Sequence, residues 1–218
     1  MEIPRTHRIF LLSPASVAGK RARMLLNPRA PFELAHRLHN GGAVSLGEAF
    51  SFMSGLYFRG KLAYSYAFAR PPVGSAGVLV ITSNRGLVSP DSLVTPEELI
   101  AFTEVPIDAG DERYSQPLVR DVLKLAAVSS NTCSIVLLGS IASGKYVDHL
   151  LPIFAKNLEF PFEFVGRGDL SRGGLLLRSV VTGRILNHVP VAGALLRGKR
   201  PPRLLPIPGR EIGVGRQD

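Results

Sequence analysis

Between Cys133 and Phe154 the chain reads CSIVLLGSIASGKYVDHLLPIF. Ser134 to Leu138 is an aliphatic and β-branched run, too short for a helix and closed by Gly139, the pattern of a strand buried on both faces of a parallel or mixed sheet. Past Ser143 the apolar period changes from two to near 3.6. Val147, Leu150, Leu151, Phe154 and Leu158 then share one face of a helix, with Ser143 at its N-cap and Lys145 in its first turn. Strand, small-residue loop and helix in that order aim free backbone N–H groups and the positive end of a helix dipole at one point, which suits a phosphate or another anion.

Gly139, Gly144 and Lys145 also hold the glycine and lysine positions of G-x-x-x-x-G-K-[ST]. The pattern fails at its last place, where Tyr146 replaces the small hydroxyl that ligates Mg²⁺, and this weighs against NTP hydrolysis. The candidate anion-binding positions in this stretch are therefore Gly139, Ser143, Gly144, Lys145 and Tyr146.

The rest of the chain reads as one α/β domain over residues 1–196, a mixed and mostly parallel sheet flanked by helices and ending in a β-hairpin, followed by a basic extended or disordered tail over 197–218. Arg8 to Leu12 and Val78 to Thr82 are apolar runs of strand length. Capping boxes at Ser45 to Glu48 and Thr95 to Glu98 open helices, and Pro31 opens another through His39. Gly60 separates a helix after Ser45 from a second segment, Lys61 to Ala69. Gln116 to Val128 is helical. Phe160, Phe162 and Phe164 alternate like a strand, and Leu175 to Val181 and Ile185 to Val191 read as a hairpin about Thr182-Gly183-Arg184.

Composition narrows the classes. With 45% hydrophobic and 20% charged residues the 218-residue chain is of the globular kind, and no apolar run reaches the length of a membrane-spanning helix. The apolar stretch after Arg5 and Arg8 is cut by Pro14, too early for a signal peptide, and a single cysteine, Cys133, allows no internal disulfide, so a cytoplasmic location is expected. His36 and His39 stand without further ligands, and Asp108, Asp111 and Glu112 lack calcium-loop spacing, so neither metal nor cofactor is expected. The net charge of +9 lies wholly at the two ends: residues 1–40 carry +5, residues 197–218 carry +4, and the middle is neutral. Ends of that kind favour a polyanion such as nucleic acid.

Polar corners follow several of the strands, where open α/β sheets bind ligands. Ser13, Lys20 and Arg21 follow the first, Arg85 follows the strand ending at Thr82, and Gly166 to Gly174 (GRGDLSRGG) sets Arg167 and Arg172 to clamp a phosphate and Asp169 to act as a base or to orient an arginine.

Four segments taken together, IFLLSPA with the downstream GKR, GLYFRGKLAYSYA, TSNRGLVSPDSLVTPEEL and VLLGSIASGKYVDHLL, resemble the YaaA-like peroxide-stress family and a related family of bacterial and phage proteins over residues 8–155. The resemblance implies a cytoplasmic α/β protein associated with DNA, with a basic cleft and no defined catalytic activity. It implies cleft positions at Ser13, Lys20, Arg21, Tyr57, Gly60, Arg85, Gly86, Gly139 and Tyr146.

Three functions are compatible with these readings. A nucleic-acid-associated protein would hold a phosphate or a flipped base in a cleft built from the four corners. An enzyme on a free nucleotide or an N-glycosidic bond would use Asp169 as acid or base and the cations as charge stabilisers. A non-catalytic interaction protein would use its basic ends to recruit an acidic partner.

Overall fold

The computed structural model describes residues 6–129, 132–194, 198–199, 201–202 and 204. Six strands form one mixed sheet: β1 (His7–Leu12), β2 (Val78–Ile81), β3 (Leu87–Val88), β4 (Cys133–Leu138), β5 (Leu158–Pro161) and β6 (His188–Pro190), in the order β3-β2-β1-β4-β5-β6. β1 runs parallel to β2 and to β4, β4 runs parallel to β5, and the outer strands β3 and β6 are antiparallel to their neighbours. The helices are α1 (Lys20–Leu25), α2 (Glu33–His39), α3 (Leu46–Ser54), α4 (Leu56–Phe68), α5 (Pro96–Ala101), α6 (Glu112–Val128), α7 (Gly144–Phe154) and α8 (Asp169–Thr182).

The period of two along β1 divides the core. Phe10 and Leu12 face one layer with residues of α1 to α5 and α8, whereas Ile9 and Leu11 face the other with residues of α6 and α7. Strands covered on both faces cannot alternate with polar residues, which is why β1 and β4 read as unbroken apolar runs. β4 is buried along its whole length, and Cys133 opens it as a buried thiol. Its register with β1 runs from His7 opposite Cys133 to Leu12 opposite Leu138, so the loops leaving these two strands start level with each other. Both capping boxes are present, Ser45 with Glu48 and Thr95 with Glu98.

The fold class is the expected one, including an antiparallel strand pair at the C-terminal end, but three local readings are corrected. Residues 175–181 are helical, within α8, so the antiparallel pair joins β5 to β6 across a helix instead of a tight turn. The helix takes this run because Gly173, Leu176 and Ser179 fall on one face, buried against α4, a pairing that outweighs the strand preference of Val180 and Val181. The break after Ser45 falls at Gly55, at φ 62°, where a side chain would be strained, and Gly60 lies inside α4. The alternating phenylalanines leave the strand at Pro161, and Phe162 to Phe164 form a 3₁₀ turn. Of the expected tail, residues 198–204 are described in part. The described ones, 198–199, 201–202 and 204, lie beside the start of α8, where Arg167 Nη1 donates to the Pro202 carbonyl (3.3 Å), and the remainder lies outside the described residues. No described helix is long and apolar enough to cross a membrane.

Candidate functional site

The connection leaving β1 runs to β2 on one side, and the connection leaving β4 runs to β5 on the other. Loops that part in opposite directions leave a crevice at the carboxyl ends of the two strands, the place where sheets of this kind hold ligands. A cleft of about 740 Å³ opens there. The loop 13–21 forms one wall, Ser140, Lys145 and Tyr146 a second, and Asp169 and Arg172 at the start of α8 a third. Phe50, Met53, Tyr57, Phe102 and Ile107 supply an apolar inner surface.

The cleft brings together eight of the residues singled out in the sequence: Ser13, Lys20, Arg21, Tyr57, Lys145, Tyr146, Asp169 and Arg172. Four are cations and one is an acid. Lys20 and Arg21 are exposed at the rim, with Arg21 Nη1 donating to the Phe52 carbonyl (3.3 Å). Arg172 is held more firmly. Its Nε and Nη2 both donate to the Phe164 carbonyl, at 3.3 and 3.1 Å, and its guanidinium lies over the Phe164 ring. Asp169 Oδ1 stands 3.9 Å from Arg172 Nη1, but the carboxylate is 72% exposed, so the pair contributes little to stability and leaves Asp169 free to meet a ligand.

The other sequence candidates lie elsewhere. Arg85 forms an ion pair with Glu98 (2.6 Å) beside a separate depression. Arg167 turns back on its own segment, donating to the Glu163 carbonyl and to Ser171 Oγ, each at 3.1 Å. Gly139 lies beneath the cleft, where a Cβ would come within 3.1 Å of the Ser13 Cβ. Ser143 precedes α7 without a side-chain capping bond, and the carboxylate of Asp148 packs against Gly144. The first turn of α7 thus has an acid of its own helix close beside it. Tyr146, the residue that breaks the glycine-and-lysine motif, is buried in the cleft wall with its hydroxyl facing Ser13; burial raises its pKa well above the ordinary tyrosine value.

The residue missed in the sequence is Lys61. It lies on the inner face of α4 and is 1% exposed. Its Nζ donates to the Ser13 carbonyl and, at 2.9 Å, to Ser13 Oγ, and it sits 4.5 Å from the centre of the Tyr57 ring and 4.9 Å from that of Phe58. No carboxylate lies within ion-pair distance among the described residues. Burial pushes the amine down to about 7; Asp169 opposes that shift and Arg172 adds to it. The sequence did hold a signal. Tyr57, Lys61, Tyr64, Ser65 and Phe68 share one helical face, so a lysine stands in an otherwise inward stripe.

Close to Lys61 the Tyr57 hydroxyl is buried and donates to no acceptor among the described residues, while the Arg172 guanidinium lies near enough to act on its oxygen. Burial raises its pKa to about 12, so it remains a neutral O–H, a donor without an acceptor on the wall of the cleft. His188, by contrast, is committed to the core: it lies 3.0 Å from the Tyr64 hydroxyl through Nε2, and burial lowers it to about 3.

Fold and cleft together define a doubly wound α/β protein with a switch-point pocket whose rim is cationic and whose interior is aromatic. No family model matches the chain, and no curated protein and no solved structure matches it significantly.

Proposed function

We propose that the cleft binds one nucleotide unit of a nucleic acid, DNA being the expected polymer, with the phosphate on the cationic rim and the base against the aromatic wall. The observation that carries this reading is the convergence of Lys20, Arg21, Lys145 and Arg172, from three separate segments, on a single cavity whose interior holds Phe50, Tyr57 and Phe102. Cations placed around a pocket recognise phosphate, and aromatic faces stack on bases of any sequence. At about 740 Å³ the cavity has the size of a small-ligand site. A duplex whose major groove alone is about 12 Å wide does not enter it, so the unit is either single-stranded or extruded from the helix. The Tyr57 hydroxyl, without an acceptor among the described residues, supplies a donor for that ligand. Kinship with the YaaA-like proteins belongs to the same proposal, and Ser13, Lys20, Arg21, Tyr57 and Tyr146 of the positions it marks line the cavity.

Fluorescence anisotropy with labelled single-stranded DNA, single-stranded RNA and duplex DNA over a range of salt tests the reading. Binding is expected to be strongest for single strands, and free nucleotide is expected to compete. Replacing Lys145 and Arg172 together by Ala should weaken binding about tenfold or more and flatten the salt dependence by about 0.7 in log–log slope for each phosphate left without its cation. Arg85→Ala and Arg167→Ala should change neither. Equal loss in all three variants would remove the cleft from the account.

A further inference from the structure

Among the described hydroxyls lining the cleft, Ser13 alone has a side-chain amine within hydrogen-bond distance. Ser13 is the first residue after β1, whose last residue pairs with the last of β4, and it lines the cavity, whereas Lys61 lies directly behind it and does not line the cavity itself. We propose that Ser13 is a catalytic nucleophile with Lys61 as its general base, and that the cleft hydrolyses carboxylic esters of phosphate-bearing ligands. The ester part rests on the dyad. The phosphate part rests on the binding reading above.

An amine serves as a base only when it is neutral, and a lysine at a protein surface is almost wholly protonated at pH 7. Here the amine is enclosed by Tyr57, Phe58 and the end of β1, which removes the water that would stabilise its charge. The groups that face it are the Tyr57 and Phe58 rings on its own helix, Ser13 just after β1, and Asp169 and Arg172 on α8. The two charges on α8 act on it in opposite senses. Ser13 Oγ donates to the Leu138 carbonyl at 3.2 Å in the resting arrangement. Turning the hydroxyl proton from that carbonyl to the neutral Lys61 nitrogen moves no heavy atom, and one Lys61 N–H keeps its bond to the Ser13 carbonyl throughout.

In the first step Ser13 Oγ bonds to the ester carbonyl carbon, the carbonyl π pair moves onto its oxygen, and the hydroxyl proton passes to Lys61 Nζ. The Tyr146 hydroxyl, which faces Ser13 and stays protonated, donates to the oxyanion. When the tetrahedral adduct collapses, the carbon–oxygen bond to the alcohol breaks and the departing oxygen takes the proton from Lys61. Water then repeats the sequence on the acyl-serine, releasing the carboxylic acid and restoring Ser13. The position of Lys61 selects acyl chemistry. At a tetrahedral carbon the leaving oxygen stays beside the attacking one, within reach of the same amine, whereas an in-line displacement at phosphorus expels it on the side away from Lys61.

A fluorophosphonate probe tests the dyad without knowledge of the natural ester, because serine attack displaces fluoride, which needs no proton. Wild-type protein, probed from pH 6 to 9 and mapped by peptide mass spectrometry, is expected to carry one adduct, on Ser13, at a rate that rises through a single ionisation near pH 7. Ser13→Ala should abolish it. Lys61→Met should slow it by about 10²-fold or more, and Lys61→Arg, which keeps donors toward Ser13 but cannot lose its proton, should slow it likewise. Urea midpoints identify any variant that fails to fold. Absence of a Ser13 adduct in folded wild-type protein overturns the proposal, as does labelling unchanged in folded Lys61→Met. Ser13 labelling that a 5′-phosphorylated oligonucleotide does not slow keeps the dyad and overturns the phosphate-bearing substrate, whereas oligonucleotide binding without labelling overturns the dyad and leaves the binding reading intact.

Discussion

A buried amine couples the fold to pH in a direction opposite to that of a surface lysine. Lys61 holds its proton less tightly in the folded protein, near pH 7, than in the unfolded chain, near pH 10.5, so between those values the unfolded state binds more protons. Stability should therefore rise across that window, by up to about 1.4 kcal/mol per pH unit for this one group. Below pH 7 the protein instead carries a buried charge with no carboxylate at ion-pair distance among the described residues, Asp169 acting on it only from farther off. Lys61→Met, of similar length and apolar, should remove the slope and be neutral or stabilising at pH 6, even though it forfeits the bonds to Ser13. Urea midpoints of wild type and variant at pH 6, 7.5 and 9 check this; parallel curves would mean that Lys61 does not titrate in the window. The cations of the rim were legible in the sequence because loops after strands are where ligand-binding charge collects. Lys61 was not, because placing the break at Gly60 instead of Gly55 destroyed the helical phase that puts it between Tyr57 and Tyr64.

At the scale of elements, the site depends on how closely α8 approaches α4. Gly60 and Gly173 face each other where the two helices meet: a Cβ on Gly60 would lie 2.7 Å from the Gly173 carbonyl oxygen, and a Cβ on Gly173 would lie 2.7 Å from that of Leu56 and 2.9 Å from the Tyr57 Cα. All of these neighbours are backbone and cannot swing aside, so Gly60→Ala and Gly173→Ala should each destabilise by roughly 1–3 kcal/mol and shift Asp169 and Arg172 away from Lys61. Gly174→Ala meets only the Leu204 side chain, at 3.5 Å, and, since Gly174 lies inside the helix, should stabilise by up to about 1 kcal/mol. Thermal melts of the three variants separate close packing from propensity, and a uniform gain in all three would show that the helices can move apart freely. The same packing explains why the C-terminal third is not legible from its own residues. Glycines at 173 and 174 and β-branched residues at 180 and 181 argue locally for loop and strand, and only the partner helix, more than 100 residues earlier in the chain, makes a helix the better solution. Capping boxes and the apolar runs of β1, β2 and β4 were legible because their physics is local.

Over the whole molecule, charge and cleft answer different questions. The sheet order sets one ligand-sized crevice between β1 and β4, while the cationic excess lies in residues 1–40 and 197–218. Lys20 and Arg21 belong to both, because the N-terminal basic segment runs through the cleft wall. The described part of the C-terminal segment passes Gly166 and Arg167, next to the α8 wall that carries Asp169 and Arg172. Lys199 belongs to that described part, so a polymer threaded from the cleft along α8 would pass close to it, whereas a free mononucleotide held in the cleft would not. Replacing Arg197, Lys199, Arg200, Arg203, Arg210 and Arg216 by Gln keeps the chain and removes only its charge. The variant should bind a long single strand more weakly, with a salt slope shallower by about 0.7 for each phosphate no longer neutralised, and should bind a mononucleotide as tightly as wild type. Isothermal titration with the mononucleotide beside anisotropy with a 20-mer separates the two. If both affinities fall together, the basic segment acts on the cleft itself; if neither moves, the C-terminal charge has no part in binding a polyanion.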